Sequence, residues 1–276
     1  MDEPLTKKSL GQHWLHDEAS LDAMCASADI GAKDIVLEIG PGLGTLTQKL
    51  VQRAGEVIAV EFDETLASQL PKRVPAANLQ VVREDILTFD FTSLPAGYKV
   101  VANIPYYLTS NLLRVMCESA NPFSQAALLV QKEVAERAAA KPGTMSLLSV
   151  SVQWYCEVGL GGVVPAALFT PPPKVDSQIL QLSYRAQPLF ADIDSKVFFR
   201  IVKAGFSQRR KTLLNSLSAG LQLGRPQTAQ LLERAGVAPG VRAQTLSLSE
   251  WHGLYAALLE LSPALSPILD VLSMSR

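Results

Sequence analysis

Between residues 35 and 103 the chain repeats one pattern: a short apolar run that ends in a glycine, a carboxylate or an amide and then gives way to a helical stretch. Ile35-Val36-Leu37 leads into Glu38-Ile39-Gly40-Pro41-Gly42-Leu43-Gly44, after which Leu46, Leu50 and Val51 recur at helical spacing. Val57-Ile58-Ala59-Val60 ends in Glu61, Leu79-Gln80-Val81-Val82-Arg83 in Glu84-Asp85, and Lys99-Val100-Val101-Ala102 in Asn103. Apolar runs of strand length alternating with helical periodicity are the signature of βαβ units, which force a parallel sheet covered on both faces. Ligands of such sheets bind beyond the carboxyl ends of the strands, where these polar residues fall.

Glycines in that first loop let the backbone turn sharply and let a ligand approach main-chain atoms with no Cβ in the way. The spacing is G-x-G-x-G; a dinucleotide fingerprint needs a glycine where Thr45 stands, which disfavours a nicotinamide cofactor. Glu61 is placed to accept from both hydroxyls of a ribose, and Asp85 to accept from the amino group of an adenine. Either carboxylate alone is more often a solvated strand-end charge. Signals at three successive strand ends in βαβ order point to a site instead.

The fourth strand end reads Asn103-Ile104-Pro105-Tyr106. The Asn103 side-chain oxygen and the Ile104 carbonyl are two acceptors for the two hydrogens of an exocyclic amine. Pro105 stiffens the turn and lacks an N–H. Tyr106 offers a face for a base taken out of its stack. On local sequence alone the same four residues also fit an ordinary strand-end turn.

Four further segments accompany these: Lys7-Lys8-Ser9-Leu10-Gly11-Gln12-His13-Trp14-Leu15, Gln131-Lys132-Glu133-Val134-Ala135-Glu136-Arg137, Phe169-Thr170-Pro171-Pro172-Pro173-Lys174-Val175-Asp176-Ser177 and Phe206-Ser207-Gln208-Arg209-Arg210-Lys211. With the glycine loop and Asn-Ile-Pro-Tyr, they resemble the ribosomal RNA adenine dimethyltransferases of the KsgA family, from about residue 6 to about residue 260. The resemblance implies an α/β fold: a Rossmann-like S-adenosylmethionine (SAM) methyltransferase sheet, mostly parallel with an antiparallel edge strand, plus a small all-α C-terminal domain. It places cofactor contacts on His13, Leu15, Gly40, Glu61, Asp85 and Asn103, and catalysis on Asn103, Ile104, Pro105, Tyr106 and Phe169. Phe169 would close the face of the base opposite Tyr106; a core aromatic beside a rigid turn is the other reading.

The family commonly has Asn and Phe where this chain has His13 and Trp14; an imidazole can still donate and accept in its ring plane. Relatives also tend to have a longer loop at 141–147, so substrate positioning is expected to differ in detail. The favoured activity is dimethylation of two adjacent adenosines near the 3′ end of small-subunit ribosomal RNA within a pre-ribosomal particle. Two alternatives stay open: a resistance-type methyltransferase of a large-subunit RNA adenosine, and a ribosome-assembly factor with incidental catalysis. The Pro-Pro-Pro-Lys-Val-Asp-Ser and Gln-Arg-Arg-Lys segments favour the first.

A net charge of −1 is unusual for an RNA binder, so distribution matters more. From 186 to 276 there are ten Lys or Arg against six Asp or Glu; the rest of the chain has fifteen against twenty. The densest basic patch, Lys203 with Arg209, Arg210 and Lys211, is the candidate RNA-binding surface; its bland alternative is a solvated helix start. Helical periodicity alone follows Pro188, at 194–207, 210–221, 226–236 and 248–261. The expected division is therefore 1–186, the SAM-binding catalytic domain, and 187–276, a helical RNA-binding domain.

Upstream, strands are expected near 35–39, 57–61, 79–83, 99–103, 126–131, 147–157 and 175–184. The last two, joined by a proline-rich loop, should form an antiparallel pair at one sheet edge. Cys25, Cys117 and Cys156 are widely spaced and expected as reduced core thiols, and no metal site is expected. No apolar run nears the roughly 18 residues of a spanning helix and the first residues are acidic, so a cytoplasmic, monomeric protein without membrane contact is expected.

Overall fold

The computed structural model describes residues 12–190 and 193–274, with side chains as far as Leu261; the segment from Lys7 to Gly11 lies outside the described residues. Contacts divide the chain into two compact units, one of residues 1–139 and 155–186 and one of 140–154 and 187–276. The segment 140–154, expected in the first, therefore belongs to the second.

In the first unit the chain runs β1 (Trp14–Leu15), α1 (Glu18–Ser27), β2 (Ile35–Ile39), α2 (Thr45–Val51), β3 (Glu56–Glu61), α3 (Glu64–Arg73), β4 (Leu79–Arg83), β5 (Lys99–Asn103), α4 (Thr109–Cys117), β6 (Gln125–Gln131) and α5 (Lys132–Ala138). After α6 (Leu147–Tyr155) come β7 (Cys156–Val164), β8 (Phe169–Thr170) and β9 (Ser177–Tyr184). Seven strands form one sheet in the order β4-β3-β2-β5-β6-β9-β7. β4 through β6 are parallel, while β9 alone is reversed, antiparallel to both β6 and β7, so the antiparallel pair β9–β7 occupies one edge. Val36, Leu37, Val57, Val100 and Val101 are fully buried, as strands covered on both faces must be.

The chain builds outward from β2 through β3 to β4, then returns to lay β5 on the other side of β2. That reversal opens a crevice between the ends of β2 and β5, where α/β sheets bind ligands. The glycine loop and Asn-Ile-Pro-Tyr flank it.

The strand expected over 147–157 is the one misread element. Apolar and polar residues alternate through Leu148-Ser149-Val150-Ser151-Val152-Gln153-Trp154 as on a half-buried strand, yet residues 147–155 are helical. Ser146 and Ser149 exchange hydrogen bonds at the helix start: the Ser146 N–H donates to Ser149 Oγ (2.9 Å) and the Ser149 N–H to Ser146 Oγ (3.2 Å). This reciprocal cap satisfies two amides that a helix leaves free. The Trp154 ring stacks on Phe198 at 3.8 Å, which fixes the helix within the second unit.

The second unit adds α7 (Ser195–Phe206), α8 (Leu213–Leu221), α9 (Arg225–Arg234) and α10 (Leu248–Met274), which continues past residue 261 where its pattern was expected to end. Asp194 caps α7 by accepting from the Lys196 and Val197 amides. Phe198, Leu217, Leu231 and Trp251, one from each helix, are fully buried. Residues 209–211 are not the first turn of α8, as the periodicity suggested: they form the turn between α7 and α8, and the helix starts after Thr212.

Candidate active site

One cavity of about 300 Å³ lies at the carboxyl ends of β2, β3, β4 and β5. His13, Leu15, Gly40, Glu61, Asp85, Asn103, Ile104, Pro105, Tyr106 and Phe169 all line it. The structure thus brings together every cofactor and catalytic candidate. Lys203, Arg209, Arg210 and Lys211 are in the second unit, all exposed, and none forms an ion pair among the described residues.

The floor is the glycine loop. Gly40 adopts φ +65°, and a Cβ there would meet no protein atom within 4 Å, so the backbone faces open space. Gly42 adopts φ +56°, and its Cβ would come within 2.5 Å of the Trp14 ring. The loop is held to the next strand by Glu61, whose carboxylate accepts from the Gly42 N–H (3.1 Å) and, through its other oxygen, from the Asp63 N–H (2.9 Å). Burial pushes the Glu61 carboxyl up from its usual range, and these N–H donors pull it part of the way back. At the end of β4, Asp85 accepts from the Leu87 N–H through one oxygen (3.0 Å). That bond orients the carboxylate toward the cavity it lines.

Asn103 donates its side-chain N–H to the His13 carbonyl at 3.3 Å, which leaves Oδ1 as its acceptor. The Ile104 side chain is buried and its N–H donates to the Leu129 carbonyl at 3.1 Å, so the peptide that follows is fixed. Tyr106 stands on the turn begun by Pro105; its hydroxyl meets Ser177 Oγ at 2.9 Å and its ring stacks against His13, with centroids 5.9 Å apart and planes inclined by 26°. His13 in turn meets the Pro171 carbonyl through Nδ1 at 2.7 Å. Because a carbonyl only accepts, that nitrogen carries the hydrogen.

Phe169 is 3% exposed, packed in the core cluster with Leu15 and Leu21 while also lining the cavity. It is a core aromatic beside a rigid turn that also borders the cavity. It is held by β8, which pairs antiparallel with β1 so that Leu15 opposes Phe169.

Of the lining residues that were not candidates, three stand out by their chemistry. Phe62 and Tyr107, each 62% exposed, follow Glu61 and Tyr106 directly and offer aromatic surface at the mouth. Their adjacency to two singled-out residues was the available signal. Glu38, inside β2, is 1% exposed, and its Oε2 has no hydrogen-bond partner. A charged residue within an apolar parallel strand was its signal.

The cavity fits an adenosyl sulfonium cofactor. Acidic side chains stand at three of its strand ends, a glycine backbone leaves room for close approach, and exposed aromatic surface suits a purine. Among the described residues no cluster of His, Cys, Asp or Glu could hold a metal ion, and no helix is long and apolar enough to cross a membrane. The three cysteines are buried free thiols, with Cys117 and Cys156 Sγ 3.9 Å apart.

Residues 4–259 match the family model described as ribosomal RNA adenine dimethylase. The chain is 41% identical over 252 residues to the ribosomal RNA small subunit methyltransferase A of Dehalococcoides mccartyi, covering 90% of this chain and 87% of that one. Among solved structures it is similar to a dimethyladenosine transferase from Plasmodium falciparum, with a TM-score of 0.78 and 29% identity over 90% of this chain and 97% of that one. The 23S rRNA methyltransferase ErmE gives 0.71, also at 29% identity, covering 89% and 99%.

Proposed function

The chain belongs to the ribosomal RNA adenine dimethylase family, and we infer that it dimethylates the N6 amino groups of two adjacent adenosines near the 3′ end of 16S (small-subunit) ribosomal RNA, with SAM as methyl donor. The observation that carries the site assignment is the Asn103 amide, whose nitrogen is committed to the His13 carbonyl so that its oxygen is left to accept. SAM supplies a methyl already activated on a sulfonium.

The protein's part is to hold and shape the acceptor. An adenine amine is a poor nucleophile because its lone pair is delocalised into the ring. Asn103 Oδ1 and the Ile104 carbonyl take its two hydrogens, draw the nitrogen toward tetrahedral geometry and aim its lone pair into the cavity. Orientation of this kind contributes several kcal/mol, up to ~7–11 in the best intramolecular cases. Tyr106, its hydroxyl held by Ser177, supports one face of the base, and Phe169 bounds the other side. Transfer passes the sulfonium's positive charge to the nitrogen, and this acidic aminium gives its proton to water without needing a protein base.

For the donor, Glu61 takes the ribose hydroxyls, Asp85 the adenine amine, and the Gly40 backbone lies beneath, with His13 and Leu15 closing the wall. Lys203, Arg209, Arg210 and Lys211 contact RNA phosphates from a helical RNA-binding domain. The setting is a pre-ribosomal small-subunit particle in the cytoplasm, where a monomer acts during ribosome biogenesis.

Likeness to ErmE keeps a large-subunit target as the competing reading, while the curated relative at 41% identity carries a small-subunit name. Adding the protein and SAM to unmodified particles and mapping dimethyladenosine by primer extension on both ribosomal RNAs tests the two. Modification confined to adjacent small-subunit adenosines is expected. Stops only on large-subunit RNA would overturn the assignment.

A further inference from the structure

Glu38 sits on β2 between Ala59 of β3 and Val101 of β5, both fully buried, in a place where a parallel sheet normally carries an aliphatic residue. Its Oε2 is buried without a partner although the side chain lines the cavity. Every group that acts on it is neutral or negative. The Thr47 hydroxyl lies beside it without meeting hydrogen-bond geometry, the Glu61 carboxylate repels it, and the buried Cys25 thiol, which feels the Glu38 charge, is itself pushed up to about 11 by burial. Among the described residues no cation answers it. A buried acid without a cation keeps its proton unless a positive ligand arrives.

We propose that Glu38 is a proton-linked counter-charge: it is neutral while the cavity lacks a cation and ionises, releasing its proton to solvent, when the cationic end of the methyl donor enters. This rests on the function inferred above. Burial pushes the carboxyl up to about 8, so at neutral pH the residue starts out protonated. A donor with a sulfonium and an ammonium places positive charge in a cavity whose own charges are acidic. The O–H bond of Glu38 breaks, its electron pair stays on the carboxylate, and solvent takes the proton. After transfer the sulfonium has become a neutral thioether, so that part of the hold on Glu38 is gone and reprotonation favours product exit.

Calorimetric titration of SAM into the full-length protein near pH 7, repeated in buffers of different ionisation enthalpy, counts the protons released. Wild type should release close to one, and its affinity should rise up to about tenfold per pH unit below the carboxyl's titration. E38Q, an isostere of the neutral acid, should release none beyond the donor's own and show a flatter profile with weaker binding at pH 8. The donor's amino group titrates alike in both arms and cancels. S-adenosylhomocysteine divides the cause: release with both ligands assigns the ammonium, release with the donor alone the sulfonium. Equal release by wild type and E38Q would overturn the proposal. If wild type binds no SAM, the inferred function itself fails. Should E38Q not fold, wild type decides by itself: SAM binding near pH 7 with no proton release and an affinity level from pH 6 to 8 overturns the proposal.

Discussion

Asn103 and His13, 90 residues apart, are joined where the Asn103 side-chain amide donates to the His13 backbone carbonyl at 3.3 Å. The bond engages one of the two amide hydrogens and leaves Oδ1 as the group's acceptor.

Asn103→Ala removes that acceptor and should abolish most methyl transfer in a single turnover. SAM affinity should stay within about tenfold, a difference of ~1.4 kcal/mol. Rapid-quench assays beside calorimetry separate the two, and near wild-type transfer would sink the acceptor role.

Glu61→Ala takes away the proposed ribose acceptor and also the tie that holds Gly42. A lost hydrogen bond to a charged group costs about 1.5–3 kcal/mol, so SAM should bind roughly ten- to 150-fold more weakly. Gly40→Arg should weaken binding too, since a side chain there points into open cavity and a positive φ strains it. Unchanged affinity in both variants, with folding checked by circular dichroism, would remove the glycine loop from the donor site.

The sign of the Glu38 effect on stability is fixed by its direction of shift. Its folded pKa, about 8, lies above the unfolded value, so the folded state holds more protons between roughly pH 4.5 and 8. The contribution is complete below that window and declines as pH rises through it, by at most about 1.4 kcal/mol per unit. Urea titrations at pH 5, 6.5 and 8 should give a decline for wild type and a flatter line for Glu38→Gln. Parallel lines would mean that Glu38 is already ionised in the folded protein.

If Arg209, Arg210 and Lys211 meet RNA phosphates, their triple Ala variant should bind the unmodified particle more weakly. The slope of log affinity against log salt should flatten by a little under about one per lost contact. SAM affinity should not change. A solvated turn predicts identical slopes, and that result would take the segment off the RNA surface.

The strand ends were legible because burial on both faces makes parallel strands continuous apolar runs, and whatever interrupts such a run is conspicuous. Glu61, Asp85 and Asn103 stood out in that way. Glu38 was read as the first residue of the glycine-loop segment and given no role, although it lies within β2. β1 and β8, two residues each, are too short to show any period, so the contact between the segments at 14–15 and 169–170 was invisible beforehand. The helix at 147–155 failed for another reason: its alternation matched a strand, and a serine cap with a tryptophan stack prevailed over the pattern.

The small β1–β8 sheet also sets an order in time. His13 and Pro171, which meet beside it, are 158 residues apart, so one wall of the cavity waits for a segment translated long after the glycine loop. At roughly 5–20 residues per second, and with distant contacts slow to form, the growing chain spends several seconds with its sheet partly assembled and that side open. Donor capture therefore waits for the segment at 169–171, and a truncated product ending before residue 169 carries the acidic strand ends without that wall of the cavity.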